Sequence, residues 1–272
     1  MNGSNGYFRD KTVLVTGASS GIGEELAWQL GLCGAKLTLA ARRQAALETL
    51  ADRIAKTGAP RPFAANCDVT RDGDVERVVS ESVRRWGTLD VVIANAGFGV
   101  VGQLKTRSID DYRRQFETNV FGVLRTIYAA LPEIEKSRGH VVIIGSVAGW
   151  TSTPGTSAYA MSKFAVRALA NAITPELRLV DVKVTLISPG FVVSNIRRVD
   201  NDGVLRAEAP DPVPAWLAVS TSKAVRQMLK AVAQGKREQI ISGHGKTLVL
   251  VERFAPWVIR AVARRLAARP SA

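Results

Sequence analysis

Residues 11–23 read KTVLVTGASSGIG. A β-branched and aliphatic run ends at Thr16, and Gly17, Gly21 and Gly23 follow directly. Glycines let the backbone turn tightly and approach a bulky anion, and the helix that starts here offers the free N–H groups of its first turn to negative charge. The spacing is G-x-x-x-G-x-G, not the G-x-G-x-x-G of the commoner dinucleotide fingerprint. A glycine cluster alone equally marks a plain strand–helix turn. Its place after the first strand of an alternating chain is what points to a pyrophosphate cradle of Gly17, Ser19, Ser20, Gly21, Ile22 and Gly23.

That alternation runs outward from the loop. Strands are predicted at 11–16, 35–40, 62–67, 89–94, 140–144, 183–188 and 239–242. Helices are predicted between them at 21–33, 43–56, 72–86, 111–136, 157–180 and 222–234. The strands are apolar runs, as expected where helices cover both faces of a sheet. Seven of them imply an α/β fold: a doubly wound parallel sheet of Rossmann type with right-handed crossovers, in one domain. Pro175, inside the predicted helix 157–180, is expected to kink or interrupt it. The catalytic domain is placed at 1–245 and a basic amphipathic extension at 246–272. Within the first, 194–216 is polar, carries prolines at 210, 212 and 214, and reads as a substrate lid.

Composition narrows the class. With 46% hydrophobic residues among 272, the chain has ample material for a core. No stretch approaches the roughly 18 uninterrupted apolar residues of a membrane span, and residues 1–11 lack the apolar run of a signal peptide. Cys33 and Cys67 have no paired spacing and read as reduced, which implies a cytoplasmic compartment. The net charge is +13, and residues 194–272 hold 14 Lys/Arg against 6 Asp/Glu. Nucleic acid is not the expected partner, because no recognition motif appears and aromatic residues are not interleaved with the basic ones. A phosphorylated cofactor, an acidic substrate or an anionic membrane surface would each explain the excess.

The second predicted strand ends Leu39-Ala40-Ala41-Arg42-Arg43, without the carboxylate that binds an unphosphorylated ribose. Arg42, helped by Ser19, would pair with a 2′-phosphate, so NADP(H) is the cofactor expected. The plain alternative is that Arg42 and Arg43 open a solvated helix. Tyr159 and Lys163 stand four apart and share one helix face. Tyrosine is a poor base near its pKa of about 10, and a nearby ammonium favours the phenolate. A Y-x-x-x-K pair is also a common surface pair. Ser146, 13 residues before Tyr159 and at the end of the preceding strand, raises it to a catalytic candidate, since its hydroxyl would hold the oxygen that Tyr159 protonates.

TGASSGIG at 16–23, Asp68-Val69, Asn95-Ala96-Gly97, Asn119, Ser146, Tyr159-x-x-x-Lys163 and Pro189-Gly190 fall in the order and spacing of a known family. The chain resembles the short, single-domain branch of the short-chain dehydrogenases/reductases from about residue 10 to 243. The resemblance implies an NADP(H)-dependent enzyme interconverting a ketone and a secondary alcohol, commonly as a homodimer or homotetramer. Asp68 and Val69 would bracket the adenine, and Asn95, Ala96 and Gly97 would pass beneath the adenosine. Asn119 would hold a water linking Lys163 to solvent. Pro189, Gly190, Val192 and Ser194 would line the nicotinamide. Lys163 would bind the nicotinamide ribose and acidify Tyr159. Two positions depart mildly from the pattern: Ala94 stands where asparagine is frequent, and Ser20 where many NADP enzymes carry a basic residue.

Rival chemistries lack their residues. His140 and His244 flank no serine in a G-x-S-x-G elbow, and the scattered histidines and cysteines form no metal ligand set. A binding protein that kept the fold but lost the chemistry is the alternative; such relatives typically lose the tyrosine or lysine. Phe98, Val100, Trp150, Phe191 and Trp216 lie in loops expected around the nicotinamide, which points to a hydrophobic or lipid-like carbonyl substrate; ordinary loop packing accounts for them equally well. From Phe254 onward, Trp257, Val258, Ala261, Val262 and Leu266 recur at helical spacing, with Arg253, Arg260 and Arg264 on another face and Arg265 and Arg269 adding charge. Such a helix at 254–269 either makes peripheral contact with anionic membrane or packs over the pocket or a second subunit.

Overall fold

A computed structural model describes residues 6–193 and 217–267. Its seven strands are β1 (Thr12–Thr16), β2 (Lys36–Ala41), β3 (Phe63–Asn66), β4 (Val91–Ala94), β5 (His140–Ile144), β6 (Lys183–Pro189) and β7 (Glu238–Ile241). They form one parallel sheet in the order β3-β2-β1-β4-β5-β6-β7. The chain winds from β1 out to β3, then returns to lay β4 against the other side of β1. That reversal opens a crevice at the carboxyl ends of β1 and β4, where open α/β sheets hold their ligands.

The apolar strand runs are there because both faces of the sheet are covered. Val13 and Val15 of β1 enter one core, with helices α1 (Gly21–Leu32), α2 (Gln44–Ala55) and α7 (Thr221–Ala233). Leu14 enters the other, with α3 (Asp74–Trp86), α5 (Gly122–Lys136) and α6 (Ser157–Arg178). Period-two alternation thus serves two cores and leaves no polar face. Near the amino-terminal edge, Phe8 is fully buried, and Tyr7 bonds His140 Nδ1 at 3.1 Å while His140 Nε2 meets Thr185 Oγ1 at 2.8 Å. His140 is therefore a buried strut, and burial pushes its pKa down to about 4.

Three elements differ from expectation. The predicted helix 111–136 is broken into α4 (Ile109–Phe116), a π-turn (Glu117–Phe121) and α5. Its start is set by a capping box, with Asp111 N–H donating to Ser108 Oγ at 3.2 Å and Ser108 N–H to Asp111 Oδ2 at 2.9 Å. Pro175 does not interrupt α6, which runs on to Arg178; so near the helix end, little of the ladder depends on its missing N–H. The final helix is two, α8 (Gly243–Phe254) and α9 (Pro256–Ala267), separated at Ala255. Pro256 drives the preceding residue out of helical geometry, and Ala255 sits at φ −140° and ψ 56°. The division drawn at residue 245 thus falls inside α8.

Candidate active site

At the crevice, the end of β1 is tied to the end of β4. Thr16 Oγ1 accepts from the N–H groups of Asn95 (3.1 Å) and Ala96 (3.3 Å), and Asn95 Nδ2 donates to Thr16 O at 2.9 Å and Gly17 O at 3.3 Å. The approach is so close that a Cβ on Gly17, whose φ is +68°, would stand 2.8 Å from Ala96 Cα. A Cβ on Gly23 would collide with Gly17 O and lie 2.6 Å from Asn95 Nδ2. Gly97 packs beside Asn119 Oδ1. Ser20 is the N-cap of α1 but makes no side-chain cap bond, so no side chain caps the first turn from Gly21 through Ile22 to Gly23. A glycine-lined cradle, on a helix start that Ser20 leaves uncapped, fits a pyrophosphate.

The end of β2 adds charge from two arginines. Arg42 is exposed, and its carbonyl accepts from Asn66 Nδ2 at 2.8 Å. Its neighbour Arg43 reaches the cradle: Nη2 donates to Ser19 O at 3.0 Å and Ser19 Oγ at 3.1 Å. The sequence reading missed Arg43, since two adjacent arginines look alike until the chain direction at the strand end is known. Beyond β3, Asp68 Oδ1 accepts from the N–H (3.0 Å) and hydroxyl (2.7 Å) of Thr70, and Val69 is buried against Gly122.

Tyr159 and Lys163 lie in the first two turns of α6. Lys163 is buried, and its Nζ donates to Ile144 O, the last residue of β5, at 3.0 Å and stands 5.8 Å from the Tyr159 ring centre. Burial pulls its pKa down to about 8. Ser146, two residues past β5, is half-buried at the start of the turn Val147–Gly149, where its Oγ accepts from Ala148 N–H at 3.1 Å. Asn119 is fully buried in the π-turn; Oδ1 accepts from Phe98 N–H (3.1 Å), and Nδ2 donates to Phe98 O (3.0 Å) and Ser162 Oγ (3.2 Å). Gln115, which the sequence reading gave no role, completes this clamp by accepting from Val100 N–H at 2.6 Å and donating to Phe98 O at 2.8 Å. Between the clamped residues lies Gly99, where a Cβ would stand 3.5 Å from Tyr159 Cδ2. Asn119 and Gln115 therefore hold the loop that lies against the Tyr159 ring.

Past β6, Gly190 N–H donates to Ile241 O at 3.1 Å, and Phe191 N–H to His244 Nε2 at 2.9 Å. The Phe191 ring stacks on His244, with centres 5.4 Å apart. Ser242 takes a φ of +86°, unusual for a side-chain-bearing residue, and its Oγ both meets His244 Nε2 (3.1 Å) and accepts from Gly245 N–H (3.2 Å). His244, excluded as a nucleophile's base, is a second residue that the sequence reading missed; no spacing rule links it to Phe191. Val192 is buried and bridges Val219. Ser194, the lid 194–216 and Trp216 lie outside the described residues. Of the apolar loop residues, Val100 is buried, and Trp150 lies beneath the Arg167 guanidinium, 3.3 Å from its ring centre, in a cleft of about 380 Å³ toward α8. Val100 is therefore core, and Trp150 lends the hydrophobic-pocket argument little weight.

Comparison with known proteins agrees in extent. A family model described as short chain dehydrogenase matches residues 11–204. Dehydrogenase/reductase SDR family member 7B of Mus musculus is 33% identical over 260 residues, covering 93% of this chain and 80% of that protein. 11-beta-hydroxysteroid dehydrogenase-like 4A of Arabidopsis thaliana is 35% identical over 226 residues, covering 83% and 73%. An alcohol dehydrogenase from Thermococcus sibiricus, complexed with 5-hydroxy-NADP, superposes with a TM-score of 0.74 at 26% identity over 85% of this chain and 95% of that one. A short chain dehydrogenase/reductase from Burkholderia phymatum in complex with NAD has a TM-score of 0.80 over 98% of both chains; at 24% identity it shows the fold alone.

Two expectations follow from this geometry. A lysine with a pKa near 8 when folded and near 10.5 when unfolded stabilises the fold fully only above 10.5, and that contribution is lost as pH falls through 8. At pH 7 its burial therefore costs on the order of 3 kcal/mol. Lys163→Met, without cofactor, should melt above wild type at pH 7, and the difference should shrink as pH rises toward 10; a lower melting temperature would defeat the argument. The second concerns His244, whose Nε2 can accept from Phe191 only while unprotonated. Burial holds its pKa below the usual value, so the Phe191 amide should be protected from hydrogen exchange at neutral pH. Protection should fall in His244→Ala and recover partly in His244→Gln, and equal protection in all three proteins would remove the role.

Proposed function

The chain belongs to the short-chain dehydrogenase/reductase family of oxidoreductases, and within it we propose an NADP(H)-dependent enzyme that interconverts a ketone and a secondary alcohol. One observation carries the reading. Lys163 is held, buried, between the end of β5 and the Tyr159 ring, beside a glycine cradle closed against Asn95. Nothing in the fold needs a buried ammonium there; acid–base work by Tyr159 does.

Gly17, Ser19, Ser20, Gly21, Ile22 and Gly23 would hold the pyrophosphate, and Asp68, Val69, Asn95, Ala96 and Gly97 the adenosine. Pro189, Gly190, Val192 and Ser194 would hold the nicotinamide, with His244 fixing the segment that follows Gly190. When bound, the cofactor supplies or takes up the hydride at the substrate carbon. Tyr159 gives its hydroxyl proton to the carbonyl oxygen in reduction and takes it back in oxidation. Lys163 favours the phenolate and would bind the nicotinamide ribose through N–H groups not spent on Ile144. Ser146 donates to the substrate oxygen. Asn119 has one Oδ1 lone pair left for a water that would connect Lys163 to solvent.

Support for the 2′-phosphate comes from two adjacent cations, Arg42 and Arg43, with Arg43 already fixed on Ser19. A hydrophobic or lipid-like carbonyl compound as substrate is supported by Phe98 and Phe191 at the site and by relatives named hydroxysteroid dehydrogenases. A homodimer or homotetramer is supported by Phe121 at the end of the π-turn, Tyr128 on α5 and Met161 and Phe164 on α6, large side chains left exposed on the helical layer that covers one face of the sheet.

Assayed by NADPH oxidation over a panel of ketones, Tyr159→Phe should lose roughly a hundredfold or more in turnover while binding cofactor as before. Turnover near wild type would end its role. Arg43→Asp and Arg42→Asp should each shift the NADPH/NADH ratio of kcat/KM by roughly ten- to a hundredfold toward NADH, the worth of a charge-assisted contact. A shift confined to Arg42→Asp would show that Arg43 merely shapes the loop.

A further inference from the structure

We propose that α9, with the last turn of α8, is a docking face for an anionic lipid surface. The α8–α9 hairpin is fastened from one side. α8 rests on β7 and the Val147–Gly149 turn, with Gly245 close against Val147 and Ile240 and with Val249 buried, and Thr151 Oγ1 donates to Glu252 Oε2 at 3.2 Å. α9 packs on α8. The apolar stripe does not turn back onto the domain: Phe254 is 68% exposed and Trp257 65%, and Leu250, Val258 and Val262 are exposed as well. On α9, Trp257, Val258, Ala261 and Val262 share one side, Arg260 and Arg264 border it, and Arg265 falls within it rather than opposite. Residues 253–267 hold four arginines and no carboxylate.

That charge pattern selects the occupant. The chain's own pocket is not covered by these side chains, because they face solvent. A second copy docked through a two-fold contact would set arginines against arginines, with no carboxylate on this face to neutralise them, and the uncharged aromatic side chains on α5 and α6 offer a copy a better seat. An anionic bilayer meets each feature at once. Trp257 and the aliphatic side chains enter the headgroup–acyl boundary, Arg260 and Arg264 meet headgroup phosphates, and Arg265 lays its stem in the apolar layer with its guanidinium reaching outward. No helix among the described residues is long and apolar enough to cross a membrane, so the contact lies in the interface plane. The proposal stands apart from the reaction and does not depend on its substrate.

Flotation of the whole chain with phosphatidylcholine vesicles, with and without phosphatidylserine, tests it. Binding is expected only with phosphatidylserine. The variant R260Q/R264Q/R265Q should partition roughly a hundredfold less, each basic residue near an anionic surface being worth about a fivefold factor. W257S/V258S should also be released, with melting temperature and sedimentation mass unchanged in both variants. Brominated lipid should quench tryptophan fluorescence in wild type but much less in W257F, which still floats. Absence of phosphatidylserine-dependent flotation by wild type overturns the proposal, as does flotation indifferent to both multiple variants. A halved mass for W257S/V258S also overturns it and assigns the face to a second copy.

Discussion

Asn95 reaches across from the end of β4 and bonds the carbonyls of Thr16 and Gly17, while Thr16 takes the N–H groups of Asn95 and Ala96. The rest of the candidate site is measured from this knot. It closes the point where the winding of the sheet reverses, and it does so with protein bonds alone. The glycines follow from it: a side chain at Gly17 or Gly23 would strike Ala96, Asn95 or the loop's own carbonyl. The cradle is thus shaped by the meeting of two strands, and its fit to a pyrophosphate exploits a constraint the fold already has. Preorganisation of that kind spares binding the entropy of ordering a loop.

The other half of the site is held from the side. The π-turn puts one extra residue into the helical path between α4 and α5, which brings Asn119 and, one turn before it, Gln115 onto the Phe98–Val100 segment. Two amides there satisfy the backbone of a loop that has no strand partner of its own, and that loop lies against Tyr159. Lys163 enters from the far side at a cost to the fold. A rigid clamp and a buried cation thus meet on one tyrosine: the two amides fix a loop that lies against its ring, and Lys163 Nζ stands 5.8 Å from the ring centre.

What was legible in the sequence divides along the same line. Strands buried on both faces announce themselves as apolar runs, so all seven were placed to within a few residues, and with them the sheet and the order of the motifs. Features that depend on direction were not legible. Arg42 and Arg43 are adjacent and alike, and only the course of the chain off β2 shows that Arg43 turns to Ser19. The π-turn leaves no trace in hydrophobic spacing, because one inserted residue shifts the pattern by less than the width of the apolar stripe. His244 is a long-range partner, 53 residues from Phe191, and its environment exists only once β6 and β7 pair. Pro175 does not interrupt α6, because a proline in the last turn of a helix removes little of its hydrogen-bond ladder.

The junction after β6 ties the last strands of the sheet to the start of α8. Gly190 is pinned to β7 through Ile241 and Phe191 to His244, and the stretch up to Val193 is laced to Val219 and Thr221: Val219 N–H donates to Phe191 O, Val193 N–H to Val219 O, and the Thr221 hydroxyl to Val193 O. Ser242 stores strain at this junction, about 1 to 3 kcal/mol for a positive φ without glycine. Its hydroxyl offsets part of that by capping α8 and facing His244. A glycine there would relieve the strain and lose both contacts, so serine ties the start of α8 to the segment after Pro189. The Phe191 N–H is thus one point where α8, which also carries the basic helix α9, meets the segment after Pro189.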